Sequence, residues 1–220
     1  VWMLGFVSLL MDVSSEMIQS LLPLYLAAGL GASAVTIGFI EGLSVAVATA
    51  TKFLSGLLVD WSYRSKPLAV LGYGLGALSR LFFPLATGVD LVVMAKAMDR
   101  VGKGIRGTPR DAMIAAVSPP EIRGASFGLR KSLDTVGGFL GPIVAVLAMI
   151  LLAGNIVAVF WLAAIPAALA VAVLVLGVRE PPGGRAGKRS DFRLSQAFRL
   201  NRAVWAVTGL AAVIMLARFS

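Results

Sequence analysis

Apolar residues run along this chain in long blocks, interrupted by glycine, proline and short clusters of charge, and blocks of that length predict helices rather than strands. Six complete helices and the start of a seventh follow, over residues 2–27, 35–59, 67–87, 90–117, 124–152, 156–178 and 203 onward. Residues 135–153 and 156–178 contain no charge at all. Each stretch approaches the roughly 20 apolar residues that cross a hydrocarbon core of about 30 Å. The pattern predicts an all-α membrane protein built on a six-transmembrane-helix bundle.

The turns between the blocks are of two kinds. Those at 29–34, 88–90 and 153–155 contain neither Lys nor Arg, whereas 61–66 holds Arg64 and Lys66, and 118–124 holds Arg123 with Arg130 and Lys131 just beyond. The segment 179–202 is the most basic of all, with Arg179, Arg185, Lys188, Arg189, Arg193, Arg199 and Arg202. Basic loops stay in the cytoplasm, so these three are expected there, and an even helix number places the N-terminus on the same side. Six helices, a basic linker and a further helix suggest half of a 12-helix transporter made of parallel halves, each an inverted 3+3 repeat. The expected organisation is a six-helix half at 1–178, a cytoplasmic inter-half linker at 179–202 and the start of helix 7 at 203–220, within a longer chain.

Composition closes off other classes. The chain is 58% hydrophobic and 14% charged, with a mean hydropathy of +0.89, which excludes an ordinary soluble domain. Its net charge of +9 is mostly the loop signal already described, and the basic loops lack the aromatic partners of a nucleic-acid surface. There is no Cys and no His, so disulfides, thiolate chemistry, Ser-His or Cys-His catalysis and the usual zinc sites are absent. No phosphate-binding G-x-x-x-x-G-K-[ST] run occurs. The chain is read as a non-enzyme that needs no cofactor or metal.

Within the fourth predicted helix, residues 96–111 concentrate Lys96, Asp99, Arg100, Lys103, Arg106, Arg110 and Asp111. A charge at the bilayer centre costs about 2.5 to 3.5 kcal/mol on insertion scales, so these groups must face protein or water. Their helical spacing gathers most of them on one stripe, and Ser8, Asp12, Ser15, Glu16 and Gln19 form a second stripe on helix 1. The stripes are expected to face each other, with Asp12 and Glu16 opposite Lys96, Arg100 and Lys103 across a solute path. A static charge-paired core is the alternative. Glu41, Lys52, Arg80 and a Lys131/Asp134 pair either line the path or pair internally.

Three short elements carry a family resemblance. Gly56, Asp60 and Arg64 follow one another at four-residue spacing through the turn after helix 2; helix 4 reads Arg100-Val101-Gly102-Lys103-Gly104-Ile105-Arg106-Gly107; helix 5 reads Gly137-Gly138-Phe139-Leu140-Gly141-Pro142. In this order and sidedness they resemble the signature elements of the major facilitator superfamily. The longer wording of residues 99–111, with Asp12-Val13-Ser14-Ser15-Glu16-Met17, is similar to a prokaryotic branch of it. The resemblance implies a latch on the cytoplasmic side at Gly56, Asp60 and Arg64, a role for Arg100 in proton coupling, and an antiporter-like element at Gly137, Gly141 and Pro142. The two glycines also suit plain helix packing. Asp111, near the cytoplasmic end of helix 4, is placed as a partner for Arg64. Residues 216–220 loosely echo 10–14, which makes Arg218 the equivalent of Asp12 in a second half.

The expected activity is secondary active transport by alternating access, as proton-coupled export of a small organic molecule. Its partners are then a small-molecule substrate, protons and the lipid bilayer of a prokaryotic inner membrane, with the protein acting as a monomer. Uptake of an organic anion is the alternative reading, and a receptor or scaffold on the same fold is a third.

Overall fold

The computed structural model describes residues 1–61 and 65–180, with the backbone alone at 53 and 56–61. Every regular element among them is helical. In order they are α1 (Trp2–Leu24), extended by a π-helical turn at Tyr25–Gly29, α2 (Ala34–Trp61), α3 (Ser65–Leu85), α4 (Val89–Val117), a 3-10 turn at Pro120–Ile122, α5 (Arg123–Leu151) and α6 (Ile156–Gly177). The six spans agree with the hydropathy blocks to within three residues at each end. The expected linker from 181, helix 7, Arg64 and Arg218 lie outside the described residues.

Local chemistry sets several of the helix ends. Asn155 caps α6, its side-chain oxygen accepting from the Ala158 N–H at 3.1 Å, and Ser33 accepts from the Thr36 N–H at 3.1 Å at the start of α2. The hairpin between α5 and α6 turns through Ala153 and Gly154, both at positive φ. At the end of α1 the π-helical turn begins at Tyr25, whose hydroxyl donates to the Ala86 carbonyl at 2.6 Å and ties that end to α3.

Four helical stretches among the described residues are long and apolar enough to cross a membrane, at 34–52, Ser65–Leu85, Pro120–Leu151 and Ile156–Gly177. The charge-bearing α1 and α4 are not among them. These two occupy equivalent places in the bundle: α1 packs on α5 and α6, α4 packs on α2 and α3, and α3 meets α6. Exchanging 1 with 4, 2 with 5 and 3 with 6 reproduces the same set of contacts, the pattern of an inverted three-helix repeat.

Close approach rather than hydrophobic drive holds such helices together in lipid. A Cβ on Gly102 would sit 2.7 Å from the Gly72 carbonyl and 2.8 Å from the Gly76 nitrogen, so α3 and α4 touch backbone to backbone. A second close contact, between α5 and α1, uses Gly137, where a Cβ would lie 2.7 Å from the Leu9 carbonyl, and Gly141, where it would lie 2.9 Å from the Val13 carbonyl. Two apolar cores result, one around Met17, Ile18, Leu22, Phe83 and Phe160, the other around Val7, Met11, Tyr73, Met113 and Leu174. Between them lies a polar layer.

Candidate functional site

The polar layer begins with a knot at Arg80. This α3 side chain is 1% exposed and donates Nε to Ser14 at 3.1 Å, Nη1 to Ser79 at 3.3 Å, and Nη2 both to Ser15 at 2.7 Å and to Asp99 at 2.8 Å. Ser14 in turn donates to the Ala163 carbonyl at 2.6 Å. One guanidinium thus joins α1, α3, α4 and α6, with every nitrogen satisfied. Asp99 was expected on the solute path, and here it lies off the cavity, as Arg80's counterion. Of the two roles open to Arg80, it takes the internal one.

Lys96 also leaves the expected grouping. Its ammonium pairs with Glu41 of α2 and is itself buried, so it does not face Asp12 and Glu16. The reason is partly angular and partly axial: Asp99 is turned about 100° from Arg100, whereas Lys96 faces within about 40° of Arg100 but lies about 6 Å away along the axis, at the level of Glu41.

The remaining charges converge on a cavity of about 600 Å³ lined by α1, α2, α4 and α5. Asp12 and Glu16 contribute from α1, Lys52 from α2, Arg100, Lys103, Arg106, Arg110 and Asp111 from α4, and Arg130, Lys131 and Asp134 from α5. That is seven cations against four carboxylates, a surplus of three positive charges. Arg106 is 3% exposed; its Nη2 stands 3.7 Å from an Asp12 oxygen, beyond hydrogen-bond reach, and its guanidinium carbon lies 4.9 Å from the Tyr73 ring centroid. Arg110 donates Nη1 to Ser8 at 2.9 Å.

Asp111 accepts from Arg110 and faces Arg130, each at 3.3 Å, and Arg130 also donates to Asp134. The expected Lys131/Asp134 pair is therefore corrected to Arg130/Asp134. On a helix both the three- and four-residue spacings bring side chains together, and the second acid at Asp111 favours Arg130. Arg64, the expected partner of Asp111, lies outside the described residues; Gly56 and Asp60 fall in the last turns of α2, their side chains outside what is described. Gly137 and Gly141 meet α1 beside Asp12 and Glu16, and a Cβ on Gly141 would collide with the Glu16 Cβ. Pro142 lies within α5 one residue further on. Among the described residues no cluster of acids suits a metal ion.

Sequence reasoning left the roles of Arg106, Arg110 and Arg130 unassigned. The available signal was their regular recurrence with Lys103 and with Asp134, which marks a polar face without saying which acid each cation meets.

The chain thus folds as an inverted-repeat helical bundle around a charged cavity, an architecture that recurs among membrane transporters. Solved structures agree on the fold: the peptide transporter POT in complex with sulfate superposes with a TM-score of 0.73 at 20% identity, over 98% of this chain and 45% of that one. A bacterial homolog to the human lysosomal transporter Spinster, inward-facing and unoccupied, gives 0.74 at 19%, over 90% and 47%.

The Major Facilitator Superfamily model matches residues 4–220, and the chain belongs to that family of membrane transporters. An MFS-type transporter of Methanocaldococcus jannaschii is 34% identical over 182 residues, covering 83% of this chain and 45% of its own length. Multidrug resistance protein MdtH of Photorhabdus laumondii is 28% identical over 143 residues, or 65% and 35%. The chain spans less than half the length of these curated relatives.

Proposed function

We propose that the full-length protein is a secondary transporter working by alternating access, and that it exports a small organic solute in exchange for protons. One observation carries this reading: Asp12 and Glu16, midway along α1, line the same cavity as Arg100, Lys103 and Arg106 of α4. The Asp12–Arg106 contact is long enough to be surrendered when helices rock, and an acid that loses or gains a cationic neighbour exchanges its proton more readily. Export is supported by the Gly137, Gly141 and Pro142 element and by similarity to a multidrug-resistance protein.

The loop charges support a prokaryotic inner-membrane protein with a cytoplasmic N-terminus. On that orientation Asp111 lies near the cytoplasmic end of α4, where Arg110 and Arg130 already hold it. Partnership with Arg64 would then be traded for these contacts during gating.

Reconstitution of the full-length protein in liposomes, with a solute panel and an internal pH dye, tests the reading. Asp12→Asn and Glu16→Gln are each expected to weaken solute-driven proton movement, and coupling unchanged in both variants sinks it. The surplus of positive charge in the cavity favours a second reading, uptake of an organic anion. Accumulation of an anion under an inward proton gradient, with no export, selects that one.

A further inference from the structure

The cations around the cavity divide by whether an acid already holds them. Arg106 has Asp12, Arg110 has Asp111, and Arg130 has both Asp111 and Asp134. Among the described residues, Lys52, Arg100, Lys103 and Lys131 have no carboxylate within 4.0 Å. Arg100 also keeps its Nε buried without a hydrogen-bond partner. Arg100 is half-buried and Lys52, Lys103 and Lys131 are exposed, so their charges are open to the cavity, and a bundle that supplies acids to three neighbouring arginines leaves these four without one.

Three of them, Lys52, Arg100 and Lys103, line the cavity within about one helical turn of each other. The Lys52 backbone nitrogen is 3.0 Å from where a Gly104 Cβ would stand, which puts this part of α2 against the α4 turn that carries Lys103, and Arg100 is about one turn further along α4. Lys131 belongs to the other end, next to the Arg130 that meets Asp111, about 16 Å from Arg100 along the axis at 1.5 Å per residue. We infer that Arg100, Lys103 and Lys52 form the subsite for a carboxylate group of the solute, with Lys131 attracting the anion toward it. The planar guanidinium supplies paired donors for a carboxylate, and the two ammonium groups supply point charge around it. Glu16, on the same cavity wall, is the internal acid that keeps the empty subsite from excessive repulsion. A cavity of about 600 Å³ has room for a small organic acid. The inference rests on the transport reading for its solute, but binding can be measured without transport.

The test uses purified full-length protein in detergent and three probes of similar size and different charge: benzoate, benzyl alcohol and benzylamine. Benzoate is expected to raise the melting temperature in a saturable way while the other two do not. Arg100→Gln and Lys103→Met are each expected to weaken benzoate binding at least tenfold without lowering the melting temperature of the ligand-free protein, since neither removes an existing pair. Arg123→Gln, which removes a charge away from the cavity, is expected to bind as the unaltered protein does. No benzoate binding, equal binding of the neutral or cationic probe, or unchanged affinity in both α4 variants overturns the subsite. Binding through Arg100 with no movement of any solute in liposomes keeps the subsite and sinks transport; transport of an uncharged solute with no benzoate binding does the reverse.

Discussion

Arg80–Asp99 and Arg106–Asp12 are chemically the same pair, each using α4 to reach a neighbouring helix, yet they are built to opposite specifications. The first is 2.8 Å long, its side chains are 1% and 4% exposed, and hydroxyls of Ser14, Ser15 and Ser79 complete the guanidinium. In the second the partners stand 3.7 Å apart, Asp12 is 20% exposed toward the cavity, and one Arg106 nitrogen has no partner. A buried pair is stable only when all its donors and acceptors are met, because low dielectric magnifies both the attraction and the cost of a missing bond. The saturated pair is a fastener between two apolar cores. The unsaturated one is free to change partners, as a transport path requires.

The strongest way to break this contrast is to remove an acid from the fastener. Asp99→Asn strands a fully buried guanidinium, and the expected loss is about 3 to 5 kcal/mol of stability. Thermal unfolding of the purified full-length protein checks it, with yield of folded protein as a second measure. A loss no larger than that of Asp12→Asn would mean that saturation does not distinguish the two sites.

The fastener depends on how closely α3 and α4 approach, which leads to the next largest effect. Gly102→Ala places a methyl against the Gly72 carbonyl and the Gly76 nitrogen, both backbone atoms that cannot swing away. The expected cost is about 1 to 3 kcal/mol, with the Arg80–Asp99 distance lengthened. Gly107→Ala, on the same helix with nothing within 4 Å, is expected to be nearly neutral. Equal melting temperatures for the two variants would sharpen the comparison against close packing as its cause.

Much of the bundle was legible in the sequence, because the bilayer demands unbroken apolar length and glycine, proline and charge mark where each stretch ends. What was not legible is which neighbour each charge meets. Lys96, Asp99 and Arg100 look like one stripe at three- to four-residue spacing, but Asp99 is turned about 100° from Arg100 and meets Arg80, while Lys96, one turn along the axis from Arg100, meets Glu41 and Arg100 reaches the cavity. The partners Glu41 and Arg80 belong to helices whose relative rotation is fixed by glycine contacts between distant positions. Spacing within one helix contains no such information. The Arg130/Asp134 pairing escaped for the same reason, since the deciding acid, Asp111, comes from another helix.

A second fastener, at the edge of the bundle, tests whether strength follows burial. The Glu180 carboxylate accepts from the Ser65 N–H at 2.9 Å and from the Lys66 N–H at 3.1 Å, capping the first turn of α3, while the Lys66 ammonium donates to the Val175 carbonyl at 2.9 Å in the last turn of α6. Each charge meets the complementary end of a helix dipole. Glu180→Gln is expected to cost about 1 kcal/mol, less than the buried knot because water can replace the lost bonds. A loss as large as that of Asp99→Asn would show that position at a helix end, rather than burial, sets the strength of these contacts.

The smallest expected change in stability is at the pair most closely tied to function. Asp12→Asn removes a carboxylate that stands beyond hydrogen-bond distance of Arg106 and opens onto the cavity, so the expected cost is below about 1 kcal/mol, with Tyr73 still beneath the guanidinium. Asp12 also faces Lys103 and Arg110 from α4 and Asp134 from α5, so its loss raises the cavity's positive surplus as well as freeing Arg106. Binding of benzoate is therefore expected to tighten in Asp12→Asn while solute-driven proton movement falls. Stability, binding and proton movement then diverge in a single variant. At Asp99 all three are expected to fail together, because there the protein itself comes apart; a collapse of Asp12→Asn of the same kind would erase the distinction between fastener and path.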